Sequence, residues 1–191
     1  MMGRGFEILR GLSNRSFWGP LSGLGAIIAL GGFLTDRLSK WWLIDIFQIE
    51  DRVIVQVLPF FDLVMAWNKG ISYGLFQADS LTGVLVLTSF ALLVCGALFF
   101  WLATVNNRLM ALALGLIIGG AVGNIYDRIA FGAVADFFSL HGFGYYWYIF
   151  NVADIWIAIG VGLMMYDAFF PTADSDVGSG EKTGGPREGS E

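Results

Sequence analysis

Long apolar runs alternate with short polar connections along most of the chain. A helix needs about 20 mostly apolar residues to cross a bilayer, so runs of this length predict transmembrane helices. Four stretches qualify, at residues 17–34, 81–104, 109–129 and 152–170. The pattern predicts an α-helical membrane protein with four transmembrane helices.

The first long connection between these runs is rich in Val, Ile and Phe on both sides of Pro59. Such runs beside a turn residue predict two strands, at residues 53–58 and 61–68. We expect a small extracytoplasmic β-sheet within an outer segment of about residues 45–78. The second long connection contains YYWY at residues 145–148, and clustered Tyr and Trp favour the headgroup layer of a membrane.

Basic residues before the first run set the expected orientation. Arg4, Arg10 and Arg15 precede it, and arginines beside a span remain in the cytoplasm. With four spans, both termini are cytoplasmic and both long connections lie outside. Residues 1–170 then form one membrane domain. Residues 171–191, rich in glycine and charged residues, form a disordered cytoplasmic tail.

Composition agrees with the membrane class and excludes several kinds of site. The 191 residues are 56% hydrophobic and 14% charged, against about 25% charged in ordinary soluble domains. The net charge is −5 and no basic stripe indicates nucleic acid. The single Cys95 and single His141 provide neither a disulfide framework nor a cluster of metal ligands. We therefore expect no metal and no cofactor.

Polar side chains gather at the outer ends of the predicted spans. Ionisable groups at membrane depth are costly, and they usually face the interior of a bundle in paired or functional positions. A convergence on one layer therefore predicts a polar site near the outer surface. The residues concerned are Asp36, Arg37, Lys40, Asn124, Asp127, Arg128, Asp136, Asn151 and Asp154.

Purely structural roles account for several of these residues. Asn151, three residues before Asp154, is typical of a helix N-cap followed by an acid in the first turn. Asp127 and Arg128 could form an ion pair at the membrane interface. Asp36 and Lys40 could form an ordinary i,i+4 pair on one helix.

Asp136 is harder to explain as structure, because it follows a span in an apolar segment with no adjacent basic residue. Two acids meeting at the mouth of a bundle favour acid–base chemistry on water, because two close carboxylates do not both ionise easily. A proton-coupled transporter would also place carboxylates in a bundle. A noncatalytic membrane assembly factor is a third possibility.

Three motifs in order identify a resemblance across about residues 34–167. The segments GGAVGNIYDR (119–128), GAVADF (132–137) and FNVAD (150–154) match elements of the lipoprotein signal peptidases, the signal peptidase II family of membrane aspartyl proteases. The segments TDRLSK (35–40) and NKGISYGLF (68–76) are looser matches. In them Arg37 stands where the family has Gln, and Ser72 and Tyr73 replace Ala and Phe.

The resemblance implies an aspartic endopeptidase that removes signal peptides from diacylglyceryl-modified prolipoproteins, cleaving before the lipidated cysteine. It implies a catalytic dyad of Asp136 and Asp154. Asp127 is expected to be structural, and Asp36 and Lys40 to shape the site or hold polar lipid groups. The residues implied to bind substrate or support the site are Asp36, Lys40, Asn68, Gly70, Asn124, Arg128 and Asn151.

The resemblance also implies partners and a location. The partners are prolipoprotein substrates and membrane lipid, and the enzyme is expected to be a monomer. It would lie in the bacterial inner membrane with its active site near the periplasmic face. If Asn151 caps the fourth helix, the helix dipole favours the ionised form of Asp154. We therefore expect Asp136 to hold the shared proton more often.

Overall fold

A computed structural model describes residues 17–70 and 81–170. Its four long helices are α1 (Ser22–Trp41), α2 (Leu81–Leu102), α3 (Arg108–Phe131) and α4 (Val152–Phe169). One turn of π-helix, Trp42–Ile46, extends α1, and a 3-10 turn, Ile49–Asp51, follows it. The expectations for the basic N-terminus, for Ser72 and Tyr73 and for the tail concern residues outside the described ranges.

Within the described ranges, three helices are long and apolar enough to cross a membrane, namely α2, α3 and α4. The first helix differs from its prediction, because it does not end near Leu34 but continues to Trp41. It therefore contains Asp36, Arg37 and Lys40, which lower the apolar character of its second half. The fourth span stays a prediction.

Helix α3 is the centre of the bundle, packed against α1, α2 and α4. Its glycines at four-residue spacing allow the close approach to α1. A Cβ atom on Gly115 would lie 2.7 Å from the backbone oxygen of Gly25, and one on Gly123 would lie 2.5 Å from Asp36 Oδ2. The spacing thus serves packing, as such small residues do in membrane helices, and brings the polar end of α1 against α3.

In the part of the chain that the structure describes, one sheet has four antiparallel strands in the order β1 (Val55–Leu58), β2 (Phe61–Asn68), β3 (Val134–Gly142) and β4 (Tyr145–Phe150). The two strands predicted in the first connection are confirmed, with β1 starting two residues later. The sheet is larger than predicted, because the second connection supplies β3 and β4. The YYWY run belongs to β4.

Burial explains why the sequence pattern does not predict strand β3. Its first four residues, VADF, are all buried, so the alternation of apolar and polar residues that marks a half-exposed strand is missing. Phe137 packs with Leu43 and Ile49 in a core between the sheet and the segment after α1. This core holds β3 against the end of the bundle.

Strand register brings the first connection to the site. Across the β2–β3 pair, Ala66 lies opposite Asp136 and Asn68 lies opposite Val134. Same-face neighbours on adjacent strands are within reach of each other's side chains. Asn68, 68 residues away in sequence, therefore lies beside Asp136.

Candidate active site

Asp136 lies on β3 and is only 2% exposed. Each of its carboxylate oxygens accepts a hydrogen bond from an asparagine side chain. Asn68 Nδ2 donates to Oδ2 at 3.0 Å, and Asn151 Nδ2 donates to Oδ1 at 2.6 Å. These donors come from β2 and from the start of α4, so the carboxylate is held by two parts of the fold at once.

Asp154 lies in the first turn of α4 and takes part in a capping box with Asn151. The Asp154 N–H donates to Asn151 Oδ1 at 3.1 Å, and the Asn151 N–H donates to Asp154 Oδ2 at 3.2 Å. Asn124 Nδ2 of α3 donates to Asp154 Oδ1 at 2.9 Å. The predicted helix cap is therefore confirmed, and it also orients this carboxylate.

Asn151 connects the two acids. It is fully buried, and its Nδ2 group donates to Asn124 Oδ1 at 3.1 Å as well as to Asp136. Every carboxylate oxygen of the pair thus accepts from an amide group. Amides are uncharged, so they orient the two acids without supplying a neutralising cation.

Burial controls the protonation of Asp136. Desolvation raises the pKa of Asp136 to about 7; the hydrogen bond from Asn68 opposes this rise, and the nearby charge of Asp154 adds to it. A carboxyl with this pKa is protonated in a large fraction of molecules at neutral pH. It is then able to act as an acid.

Both acids line a cavity of about 100 Å³, together with Asn68, Gly70 and Arg128. A water molecule occupies about 30 Å³ in the liquid, so the cavity has room for a few waters. Arg128 donates to the backbone oxygen of Asn124 at 3.3 Å and to that of Gly70 at 3.5 Å. The Gly70 N–H donates to Asn68 Oδ1 at 3.0 Å, which fixes the orientation of that amide.

The interpretation of Asp127 and Arg128 as an ion pair is wrong. Asp127 pairs instead with Lys40 Nζ and with Arg37, each at 2.6 Å. Arg128 belongs to the cavity, whereas Asp127 is buried away from it. The two neighbours point to different places because successive residues of a helix do not face the same side.

Asp36 completes a buried cluster of two acids and two bases behind the cavity. Lys40 Nζ lies 3.0 Å from Asp36 Oδ1, and an Arg37 nitrogen lies 2.9 Å from Asp36 Oδ2. The guanidinium of Arg37 also lies over the Tyr126 ring, 4.6 Å from its centroid. The interpretation of Asp36 and Lys40 as an i,i+4 pair is correct, but the pair is part of a larger cluster.

The cluster reaches the backbone on both sides of the site. Asp36 Oδ1 accepts from the N–H of Ala153 at 3.1 Å, and Asp127 Oδ2 accepts from the N–H of Ala135 at 3.2 Å. These alanines immediately precede Asp154 and Asp136. Lys40 and Arg37 each contact both acids of the cluster, so the same two cations hold the acids that support the backbone beside both carboxylates.

Tyr148 is a residue of the cavity that sequence reasoning missed. It lines the same cavity, and Asn68 Nδ2 donates to its hydroxyl at 3.3 Å. Its place in an aromatic run suggested the headgroup layer instead. The β3–β4 pairing that brings it back over the site had no signal in the sequence.

The sequence is similar to known proteins over most of its length. The profile described as Signal peptidase (SPase) II matches residues 28–170. This chain belongs to the signal peptidase II family. The lipoprotein signal peptidase of Beijerinckia indica is 49% identical over 149 residues, covering 78% of this chain and 87% of that protein. That of Nitrobacter hamburgensis is 47% identical over 152 residues, covering 78% and 93%.

A solved structure has a similar fold. It is a bacterial membrane enzyme determined by the in meso method at 2.3 Å, with a TM-score of 0.62 and 27% sequence identity. The match covers 83% of this chain and 95% of the solved one. The signal peptidase thus shares its fold with a bacterial membrane enzyme over nearly the whole of that enzyme.

Proposed function

We propose that this signal peptidase is an aspartic endopeptidase whose catalytic dyad is Asp136 and Asp154. Its substrates are diacylglyceryl-modified prolipoproteins, cut just before the lipidated cysteine. The observation that carries the proposal is the pair of carboxylates on one cavity, each oxygen bound by an amide. The family match supports removal of signal peptides from prolipoproteins and does not support the transporter or the noncatalytic assembly factor.

In the resting site Asp136 holds the shared proton and Asp154 is ionised. The capping box and the positive end of α4 favour the charged form of Asp154. Asp154 takes a proton from water, and the water oxygen attacks the scissile carbonyl carbon. Asp136 gives its proton to the carbonyl oxygen, which forms a neutral tetrahedral intermediate.

Collapse of the intermediate restores the dyad. The proton on Asp154 passes to the leaving nitrogen as the carbon–nitrogen bond breaks. Asp136 recovers a proton from one hydroxyl of the intermediate as the new carboxyl group forms. Protons balance over the cycle, and the two products are a free amine on the cysteine and a signal peptide carboxyl.

The surrounding residues support this chemistry in distinct ways. Asn68, Asn124 and Asn151 keep the carboxylates oriented through the hydrogen bonds described above. Arg128 and Gly70 also line the cavity, where they contact the substrate. Asp36 and Lys40 act from behind by holding the backbone next to the dyad.

The proposed topology has α1 as a fourth span, with both termini in the cytoplasm and the dyad near the periplasmic face of the bacterial inner membrane. Pairing within the buried cluster lowers the cost of charges in α1. Trp41 at the end of α1 and Trp42 at the start of the π-helical turn are both exposed, which suits the membrane interface. The protein acts as a monomer in contact with lipid, and residues 1–170 form the peptidase domain.

The outer segment, about residues 45–78, is the floor or lid that holds substrate at the membrane surface. Its described part contributes β2, whose Asn68 contacts Asp136. Deletion of this segment should abolish cleavage.

A cleavage assay tests the function directly. The purified protein in detergent is given a diacylated prolipoprotein and, separately, the same prolipoprotein without lipid. The expected product begins with the lipidated cysteine and forms only from the first substrate. Proton-coupled flux in vesicles without any cleavage would contradict the proposal.

A further inference from the structure

Tyr148 differs from the three aromatic residues that precede it on β4. Tyr145, Tyr146 and Trp147 are all exposed, as residues in contact with the membrane interface are expected to be. Tyr148 is half-buried and lines the dyad cavity. Contact with the membrane therefore does not account for its placement.

A β-bulge lies at this point of β4, the end strand of the sheet. On β3 the paired residues Ser139 and His141 are two positions apart. Their partners on β4, Ile149 and Tyr146, are three positions apart. Such an extra residue bends a strand locally and re-aims a side chain, and bulges are common next to active sites. Tyr148 lies within this bulge.

The hydroxyl of Tyr148 completes the hydrogen bonding of Asn68. A side-chain amide has two N–H hydrogens and one oxygen. Asn68 Nδ2 donates to Asp136 Oδ2 at 3.0 Å and to Tyr148 Oη at 3.3 Å. Its Oδ1 atom accepts from the N–H of Gly70 at 3.0 Å. Each polar group of this amide therefore has a partner of its own.

The orientation of the Asn68 amide matters because its two ends act oppositely on Asp136. The N–H end donates to the carboxylate and favours its charged form, whereas the oxygen end would repel the carboxylate and accept only from the protonated acid. A half-turn of the amide would exchange the two ends. The bonds to Tyr148 and from Gly70 both oppose this rotation.

We propose that Tyr148 is a positioning residue of the dyad: its oxygen accepts one N–H of Asn68, so that the other N–H stays directed at Asp136. This rests on the proposed function, in which Asp136 is the acid of the dyad. Tyrosine is uncharged near pH 7. Tyr148 therefore acts through the orientation of Asn68 and not through charge.

The charges that act on Asp136 stay the same when the hydroxyl is removed. They belong to Asp154 of α4, Lys40 of α1 and Arg128 of α3. Because Y148F alters none of them, a change in the titration of Asp136 reports on its hydrogen bonds.

The sign of that change follows from the bond that Asn68 makes. Burial raises the pKa of Asp136 to about 7, and the hydrogen bond from Asn68 opposes this rise. If the amide is no longer held, the opposing bond weakens and the pKa rises further. The acid form then persists to higher pH.

Y148F is the main test, because it keeps the ring and removes only the oxygen. With a diacylated prolipoprotein as substrate, kcat should fall about 3- to 10-fold, the scale of one net hydrogen bond. The descending limb of kcat/KM against pH should move upward by about half a pH unit. Y145F is the matched control, since it removes the same hydroxyl from an exposed residue of the same strand. It should change neither quantity.

A double-mutant cycle tests whether Tyr148 acts through Asn68. Two residues that act through one contact have non-additive effects. N68A alone should move the limb at least as far as Y148F does. Y148F added to N68A should cause no further shift, because the hydroxyl then has no amide to hold.

The wild type provides a measurement that does not depend on how well Y148F folds. In protein labelled with isotopic asparagine, the N68A spectrum identifies the NMR signals of the Asn68 side chain. Both amide hydrogens should exchange with water far more slowly than those of an exposed asparagine, because both are bound. Protection of only one hydrogen overturns the role of Tyr148.

The outcomes separate this inference from the proposed function. A Y148F variant with the wild-type limb, or one in which only KM rises, overturns the positioning role alone. An equal shift from Y148F with and without Asn68 does the same. A wild type that cleaves no diacylated substrate overturns the proposed function itself.

Discussion

Asn151 donates a hydrogen bond of 2.6 Å to Asp136 while the same side chain caps the helix that carries Asp154. The orientation of one carboxylate and the start of the other's helix therefore depend on a single buried amide. Loss of this amide should affect stability and catalysis together.

N151A is expected to destabilise the fold by about 1 kcal/mol, the usual value of an N-cap, and to remove most activity because the dyad loses its common donor. N107A is the matched control. Asn107 caps α3 by accepting from the N–H of Leu109 at 2.8 Å, at the opposite end of the bundle from the dyad. Thermal unfolding in detergent and cleavage rate are measured for both. Equal loss of activity in the two variants would show that capping alone matters.

D136N and D154N should each lower kcat by at least about 100-fold, which is the usual scale for loss of a general acid or base. Both changes keep the shape of the side chain, so the unfolding transition should remain cooperative. D51N, at an exposed position, is the control. Either dyad variant cleaving a diacylated substrate at the normal rate would disprove its catalytic assignment.

Activity should fall as pH rises through about 7, because the folded-state pKa of Asp136 is raised to about 7 and its acid form is needed. The pH dependence of kcat/KM measures this limb in the free enzyme. An activity that is flat from pH 6 to 9 would contradict the role of Asp136 as the acid.

The same pKa predicts how stability depends on pH. The unfolded pKa of an aspartate is about 3.9, so between about pH 4 and 7 the folded state binds a proton that the unfolded state has lost. The contribution of Asp136 is therefore fully present below pH 4 and disappears as pH rises through 7. D136N should flatten this part of the stability curve, measured as unfolding temperature against pH. An unchanged slope would place the proton elsewhere.

K40M should destabilise the fold more than R37Q. Both Lys40 and Arg37 bridge Asp36 and Asp127, but Lys40 is 3% exposed whereas Arg37 is 18% exposed. Removing one partner of a buried ion pair costs about 3–5 kcal/mol. We expect a loss of this size for K40M and a smaller one for R37Q, measured by chemical unfolding in detergent. A greater loss in R37Q would mean that Arg37 is the main counter-charge.

The sequence indicated that the candidate site residues gather at one end of the spans, but it indicated little of how their side chains contact each other. The motifs around Asn124, Asp136 and Asp154 indicated the family, and the capping role of Asn151 follows from local spacing alone. The contact between Asn151 and Asp136 does not follow from local spacing, because it requires β3 to lie next to the start of α4. Of the buried cluster, the sequence indicated only the i,i+4 pair of Asp36 and Lys40. Asp127 joins this pair because α3 packs against α1.

By itself the sequence determined the membrane class, three apolar helices, the first hairpin and the family, because these depend on run length, composition and local motifs. Only the tertiary structure decided that α1 continues through its charged residues, that β3 and β4 enlarge the sheet, and that Tyr148 lies over the dyad cavity. Those features depend on which charges and strands meet in space. Helix α1 tolerates its charges because α3 brings Asp127 to them, and β3 is stable because both of its faces are covered.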